Sequence, residues 1–434
     1  MKKKVPVVKL TTPDQAAELE GLPLSATVAM ADVAESMREG LLAFSTAAGL
    51  VVMQQMLTEE LASIVGAKHA KLPAGERVGN WHGSTQGQVV LGARKVSVER
   101  PRGRYTDDGG EVELDTWDVF ASEDLLRQVV VERMLAGVAT RRHVDVTEPV
   151  GQDGKATSKS AVSRRFVAAT QAAMAELLDA DLSSLDTAVL MIDGLNVAGE
   201  MIVVAMIITA DGTKVPVGQR LGQDTENATI VKDLLADMVA RGLRFEHGIL
   251  AVIDGSKALR SAVLRVFGNK VLIQRCTLHK RRNVCDYLPK ARRPAIDRRL
   301  GAIFADPDAD HGVAEAKRLA ATLKPDHPDA AGSLLEGLDE MFTVARLGID
   351  GALRRSLTNT NCIESMISTV RDVTRRVKRW RDGDMKKRWI ATGMIEAQRS
   401  FRRVRGCHQM PDLVTAIGRA TNPATPDNYN QAAA

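Results

Sequence analysis

Aromatic side chains make up only 3% of the 434 residues, which excludes a protein that works by stacking many exposed bases, as single-strand binders do. Cysteine is scarce as well. Cys276, Cys285, Cys362 and Cys407 fall at no regular spacing, so no disulfide framework is written into the chain, and a reducing, cytoplasmic compartment is expected. No apolar run reaches the roughly 20 residues that a bilayer needs; the longest weakly polar stretch, Leu41 to Met53, contains Ser45 and Thr46. The basic start Met1-Lys2-Lys3-Lys4 leads to Asp14, Glu18 and Glu20, not to an apolar signal core, so neither a leader nor a membrane role is expected. Apolar residues at 44% and charged ones at 26% supply one or more cores and exclude wholesale disorder. The net charge of +5 permits a polyanion partner, but where the charges sit must decide.

Residues 1–86 read as a helical N-terminal region able to serve dimerisation or DNA contact, with apolar positions recurring at helical spacing over 25–66. Short alternating pieces around Val89 and Val96 and the turn-rich Tyr105 to Gly110 predict a small β-hairpin element over 87–121. Residues 122–185 hold two helices, about 122–137 and 158–178, separated by a polar connection. They form a candidate helix-turn-helix with Lys159, Ser163, Arg164 and Arg165 where a major-groove reader places polar and basic side chains; two packed helices with a solvated basic face are the alternative. Over 186–280, three apolar runs in succession precede helix, strand, helix and strand. The order βββαβαβ is that of a ribonuclease-H-like mixed α/β sheet. Residues 281–357 are helical in period and interrupt that domain before its last helix. Residues 358–420 hold this final helix and basic helices, and the tail 421–434 has nothing to bury.

Two acids hold equivalent places. Asp193 and Asp254 each end an apolar run and each precedes a glycine. A carboxylate at the rim of a sheet is exposed on a rigid backbone, and the glycine lets a ligand approach. A third acid follows from helical geometry. At 100° per residue, Glu364, Ser368, Arg371, Arg375 and Lys378 stay within about 40° of one line, while Ile363, Met366, Ile367, Val370, Val373 and Val377 fill the opposite arc. One face packs; the other carries an acid followed by a basic stripe, as expected if a phosphodiester backbone runs along the stripe into a metal site.

Val252 to Leu259, Gln274 to Val284, Thr360 to Ser365 and Val377 to Trp380 together resemble the Mutator-type family of bacterial insertion-sequence transposases, over about 120 to 420. The resemblance implies a ribonuclease-H-like catalytic domain interrupted by an all-helical insertion, with an Asp-Asp-Glu triad that carries over to Asp193, Asp254 and Glu364 as catalytic residues and metal ligands. It also implies an active-site-supporting pair, Cys276 and His279. A zinc site would need two more ligands, and none is well spaced. The implied cofactor is a pair of Mg²⁺ or Mn²⁺ ions, which about 3.5 to 4 Å apart activate an attacking oxygen and stabilise a leaving one. The insertion contains no tryptophan; Tyr287, Phe304 and Phe342 are its aromatics.

Charge location agrees. Between Arg371 and Arg405 stand thirteen Lys or Arg and four acids, a larger excess than that of the whole chain, and Arg371, Arg375, Lys378 and Arg379 are the expected backbone contacts. Trp380 and Trp389 would lie on opposite sides of one continuous helix, so at least one is expected in the core. The expectation is a nucleoid-associated enzyme that cuts and joins double-stranded DNA at element ends, working as a homodimer or higher assembly on DNA. The alternatives are a structure-selective nuclease without strand transfer and a DNA-binding derivative without catalysis.

Overall fold

The computed structural model describes residues 41–70, 78–91, 94–122, 124–136, 159–222 and 228–422. The start of the predicted N-terminal helical region, the polar connection between the two helices of the candidate helix-turn-helix and residues 423–434 of the tail lie outside them; Thr421, expected to have nothing to bury, instead ends a helix and is buried. Two compact units divide between Ala169 and Thr170.

In the first unit, α1 (Leu41–Val65), the antiparallel strands β1 (Gly79–Leu91) and β2 (Arg94–Tyr105), α2 (Asp115–Ala121) and α3 (Asp124–Leu135) follow in order. Met53, Leu57, Leu61 and Val65, at helical spacing on α1, share a core with Val89, Val96, Val112 and Leu114. The hairpin starts at Gly79, earlier than the predicted 87. The early part of β1, Gly-Asn-Trp-His-Gly-Ser-Thr, has no apolar alternation and so gave no strand signal. It is small at Gly87 because the Trp117 ring occupies the space where a side chain would point. The helix α4 (Lys159–Asp179) runs across the division.

The second unit is built on a five-stranded mixed sheet. Its strands are β3 (Thr187–Val197), β4 (Glu200–Thr209), β5 (Lys214–Leu221), β6 (Ile249–Ile253) and β7 (Val271–Arg275), in spatial order β5-β4-β3-β6-β7. β3, β4 and β5 form an antiparallel meander, while β6 and β7 add parallel to β3. Side chains alternate between faces along a strand, and here both faces are buried. Val189, Met191, Val204 and Met206 enter one core; Leu190, Ile192, Val203, Ala205 and Ile207 enter the other. That two-sided burial explains why these strands read as continuous apolar runs.

Helices α5 (Ala228–Ala240) and α6 (Lys257–Phe267) cover one face through Val231, Leu234, Leu235, Met238, Leu259, Ala262, Val263 and Phe267. α5 ends as its sequence predicts. Gly242 adopts φ +89°, its N–H donates to Val239 and the next N–H donates to Met238, a Schellman motif that satisfies the last carbonyls. After β7, helices α7 (Thr277–Asp286), α8 (Arg293–Ala305), α9 (Ala309–Leu323), α10 (Pro328–Leu335), α11 (Thr343–Arg346) and α12 (Gly351–Leu357) intervene before α13 (Asn361–Thr374). α13, α14 (Gly383–Arg399) and α15 (Met410–Thr421) cover the second face. The intervening helices have their own core, in which Phe304 and Phe342 pack with ring centres 5.9 Å apart; Tyr287 is exposed.

Buried polar contacts tie these helices to the sheet and to one another. Gln274 on β7 donates to the carbonyl of Met341 (2.8 Å) and accepts from the N–H of Val344 (3.0 Å). The buried Lys280 donates to the carbonyls of Ser333 (2.7 Å) and Glu336 (2.9 Å). Among the described residues no helix is long and apolar enough to cross a membrane.

Gln274→Ala would strand the Met341 carbonyl and the Val344 N–H in a dry interior. Urea unfolding is expected to show a loss of about 2–4 kcal/mol; a loss below about 1 kcal/mol would show that these contacts do not hold the helices to the sheet.

Candidate active site

β3 pairs with β6 in parallel register up to Met191 opposite Val252. Two residues further on each chain, past the last pair, stand Asp193 and Asp254; alternation along β3 carries Asp193 to the side of Met191, and the charge of Asp254 reaches it. β6 ends at Ile253 and its chain turns, the Ser256 N–H donating to Asp254 Oδ1 at 2.7 Å and Ser256 Oγ accepting from Leu259 at the start of α6. β3 does not end at Asp193 as expected. It continues to Val197 because β4 keeps pairing with it down to Val197 opposite Glu200. The reversal falls at Ala198 and Gly199, both at positive φ, as a two-residue hairpin requires. Asp193 therefore sits within a paired strand, beyond the reach of β6 pairing but not at a turn.

Glu364 arrives on α13, whose Ile363, Met366, Ile367, Val370 and Val373 are buried against the sheet as the predicted apolar arc requires. The start of that helix is fastened to α7. The carbonyl of Thr358 accepts from both the N–H (2.9 Å) and the hydroxyl (3.0 Å) of Thr277. Cys276, whose N–H donates to Ile253 at 2.7 Å, and His279 on the first turn of α7 are thereby brought beside Glu364. His279 Nε2 lies 3.8 Å from Glu364 Oε1.

The charges of these groups interact. Burial pushes the Asp193 carboxyl up to about 6, and the neighbouring Asp254 and Glu364 push the same way against the N–H of Gly194 and the charge of His279. Contact with Cys276 raises His279 to about 9 against its burial, with further help from the charges of Cys276, Asp193 and Glu364. Burial raises the Cys276 thiol, but its contacts with His279 and Thr360 more than offset this and leave it below the ordinary thiol range. Asp193, Asp254, His279 and Glu364 thus share one electrostatic neighbourhood.

The oxygen donors of the three acids suit a hard divalent cation, and an acid held up by burial and two like charges is one that a cation would relieve. In donor type and charge they fit such an ion. Among the described residues no three His, Cys, Asp or Glu side chains lie close enough together to hold a metal ion. Each acid is instead engaged locally: Asp193 by the N–H of Gly194 (2.8 Å), Asp254 by that of Ser256, and Glu364 by the hydroxyl of Thr360 (2.7 Å).

The basic residues divide. α13 stops at Thr374, with Arg375 as its cap, so the stripe along the helix is Glu364, Ser368 and Arg371. Lys378 and Arg379 lie in the connection to α14, not on the helix as expected. The helix breaks there because Trp380 turns into the core against Trp389, ring centres 6.5 Å apart and edge to face, and Asp382 caps a new helix through the Met385 N–H. Both tryptophans are thus committed to packing. Arg371, Arg375, Lys378 and Arg379 are all exposed. Others of the basic cluster serve the fold: Lys386 is buried 2.7 Å from Glu200, and Arg388 donates to Thr170. On α4, Lys159, Ser163 and Arg164 are exposed and Arg165 is half-buried.

Three residues close to the acids lie within the stretches that carry the family resemblance but had no role assigned from the sequence. Thr360 stands four residues before Glu364, a spacing that one helical turn would have revealed. Arg275, nearly buried, joins Glu340 (2.6 Å) to the carbonyl of Gly255 beside Asp254. Lys280 pins the helix that carries His279. Both cations are marked only by being charged in an apolar setting.

The family described as Transposase, Mutator family, matches residues 25–403. The transposase for insertion sequence element ISRM5 of Rhizobium meliloti is 24% identical over 376 residues, 83% of this chain and 89% of that one. The transposase for insertion sequence element IS905 of Lactococcus lactis is 25% identical over 278 residues, 62% of this chain and 68% of the relative. The transposase for insertion sequence element IS256 in transposon Tn4001 of Staphylococcus aureus is 28% identical over 262 residues, 58% and 64% respectively.

The raised Asp193 has a consequence for stability. Its folded value, about 6, exceeds the ordinary 3.8, so the folded chain holds the proton more tightly than the unfolded one. The associated stability is complete below pH 3.8 and is lost as pH rises through 6. In EDTA at pH 8, Asp193→Asn is expected to be more stable than the parent by roughly 1–3 kcal/mol in urea unfolding, with the gain vanishing near pH 4. An equal difference at both pH values would contradict the assignment.

Proposed function

This chain belongs to the Mutator family of transposases, and from that premise we propose that it cleaves DNA at the ends of an insertion sequence and joins the freed 3′-hydroxyls to target DNA, with Asp193, Asp254 and Glu364 as its catalytic acids. One observation supports the reading: the parallel β3–β6 pairing runs to two residues before each of Asp193 and Asp254, and the charges of Asp254 and Glu364 both act on Asp193. The strand order β5-β4-β3-β6-β7, three antiparallel strands followed by two parallel ones, supports the ribonuclease-H-like description of the sheet.

The three carboxylates would hold Mg²⁺ or Mn²⁺, which when bound supplies an activated attacking oxygen and charge stabilisation on the leaving one. The chain's own residues provide the frame. The β3–β6 pairing fixes the spacing of the first two acids. The Thr277–Thr358 contacts fix the helix of the third. His279, pushed up to about 9, is a cation at neutral pH and stands beside Glu364, where it favours an anionic phosphate entering the pocket. Arg371 continues the exposed face of α13 away from Glu364, and Arg375, Lys378 and Arg379 follow it on the surface, a path suited to a phosphodiester backbone. Lys159, Ser163, Arg164 and Arg165 remain the proposed readers of the terminal repeats on α4. Joining two ends at once requires a homodimer or larger assembly on DNA.

Duplexes taken from the DNA that flanks the coding sequence, ending in recessed 3′-hydroxyls, test the chemistry. With Mn²⁺ and a plasmid target the protein is expected to join them, and Asp254→Asn or Glu364→Gln is expected to lower joining by about 10²- to 10³-fold. Cleavage without joining would identify a nuclease, and unaffected variants would remove the acids from the reaction. Replacing Arg371, Arg375, Lys378 and Arg379 together with alanine is expected to flatten the dependence of log affinity on log salt by about 0.9 for each lost phosphate contact; an unchanged slope would place the DNA elsewhere.

A further inference from the structure

We propose that Thr360 is a positioning residue of the active site: its buried hydroxyl fixes the carboxylate of Glu364 and aligns it with His279 and Cys276. The inference rests on the proposed role of Glu364.

Thr360 is fully buried, and its hydroxyl oxygen has three polar neighbours. Glu364 Oε1 is 2.7 Å away, His279 Nδ1 3.4 Å and the Cys276 sulfur 3.4 Å. A hydroxyl owns one proton and two lone pairs. The shortest contact, to an ionisable carboxyl, takes the proton, because hydrogen bonds to a charged acceptor are the strongest available. The lone pairs then face the Nδ1–H of His279 and the thiol. One oxygen atom therefore sets the rotamer of Glu364 and the orientation of the imidazole whose other nitrogen approaches the same carboxylate.

A second observation is independent of these distances. Thr360 occupies the cap position of α13, where a threonine ordinarily accepts from the first free N–H groups of its helix. Its side chain makes no such bond. Helix capping is forgone and the hydroxyl is turned toward the acid. Its backbone is held on both sides: the Thr358 carbonyl accepts twice from Thr277, and Asn359 Oδ1 accepts from the Asn361 N–H at 2.9 Å. The hydroxyl thus has a fixed origin relative to both α7 and α13. Outer-shell partners of this kind typically contribute about 10- to 100-fold to metal affinity or rate when they orient a ligand.

The test uses the full chain. Mn²⁺ affinity is measured by electron paramagnetic resonance, thermal midpoint by differential scanning, and joining of recessed 3′-ends in Mn²⁺. Thr360→Val, which keeps the shape and removes the hydroxyl, is expected to weaken Mn²⁺ binding and joining by about 10- to 100-fold. Thr360→Ser, which restores the hydroxyl and drops a methyl, is expected to recover most of both. If Thr360→Val does not fold, Thr360→Ala takes its place. Wild-type behaviour of the hydroxyl-free variant would overturn the inference, and so would equal losses in the valine and serine variants, since methyl packing would then be the cause. Glu364→Gln in the same titration separates the two levels. If it leaves Mn²⁺ binding unchanged, the carboxylate reading itself falls and the inference with it. If it weakens binding while Thr360→Val does not, only the role of Thr360 is lost.

Discussion

Parallel pairing of β3 with β6 is the constraint on which the site depends. The register that sets Met191 opposite Val252 brings the chain to Asp193 and Asp254 two residues later on each strand, and a slip of one residue would shift one acid relative to the other. The apolar residues on both faces defend that register. Leu190 and Ile192 are committed to one core, Val189 and Met191 to the other, and all four are fully buried. The third acid is placed by a different device. α13 packs its apolar arc on the sheet, and Thr277 clasps the Thr358 carbonyl so that the helix starts beside α7. The intervening helices reinforce this from behind, because Lys280 holds α7 at the residue next to His279 and Arg275 links Glu340 to the loop after Asp254.

The same arrangement concentrates unfavourable charge. Asp193 is raised by burial and by two acidic neighbours, so the fold bears an electrostatic cost where it holds the acids together. His279 offsets part of it, and a divalent cation would offset more. The extensive apolar burial around the sheet is what makes such a cluster tolerable, since each fully buried aliphatic side chain contributes about 1.5–3 kcal/mol. The outer basic surface follows another logic: Lys386 and Arg388 are consumed by packing, while Arg371, Arg375, Lys378 and Arg379 stay exposed.

Much of this was legible in the sequence because it rests on short-range pattern. The five strands of the sheet, the glycine stop of α5 and the apolar arc of α13 all follow from periodicity or turn chemistry; Asp193, Asp254 and Glu364 stand out in that pattern only as candidates, and their reading as a triad comes from the family resemblance. What could not be read depends on contacts across the chain. The extension of β3 past Asp193 is decided by its pairing with β4, and Asp-Gly resembles a turn to any local reading. The end of α13 at Thr374 follows from Trp380 reaching Trp389, which a continuous helical wheel places on opposite sides. The hairpin strand from Gly79 is polar and glycine-rich, with its only large ring, Trp81, donating to Gly66. Thr360 stands in the sequence only as part of the stretch Thr360 to Ser365, and only the fold brings Cys276 and His279 to its hydroxyl.

The central claim is that Asp193, Asp254 and Glu364 close around divalent metal in a single pocket. The most direct measurement is anomalous X-ray scattering from crystals of the protein bound to a recessed-end duplex in Mn²⁺. Manganese peaks shared by carboxylate oxygens of all three residues are the predicted result. Peaks held by other side chains, or acids that remain apart with DNA in place, would contradict the account.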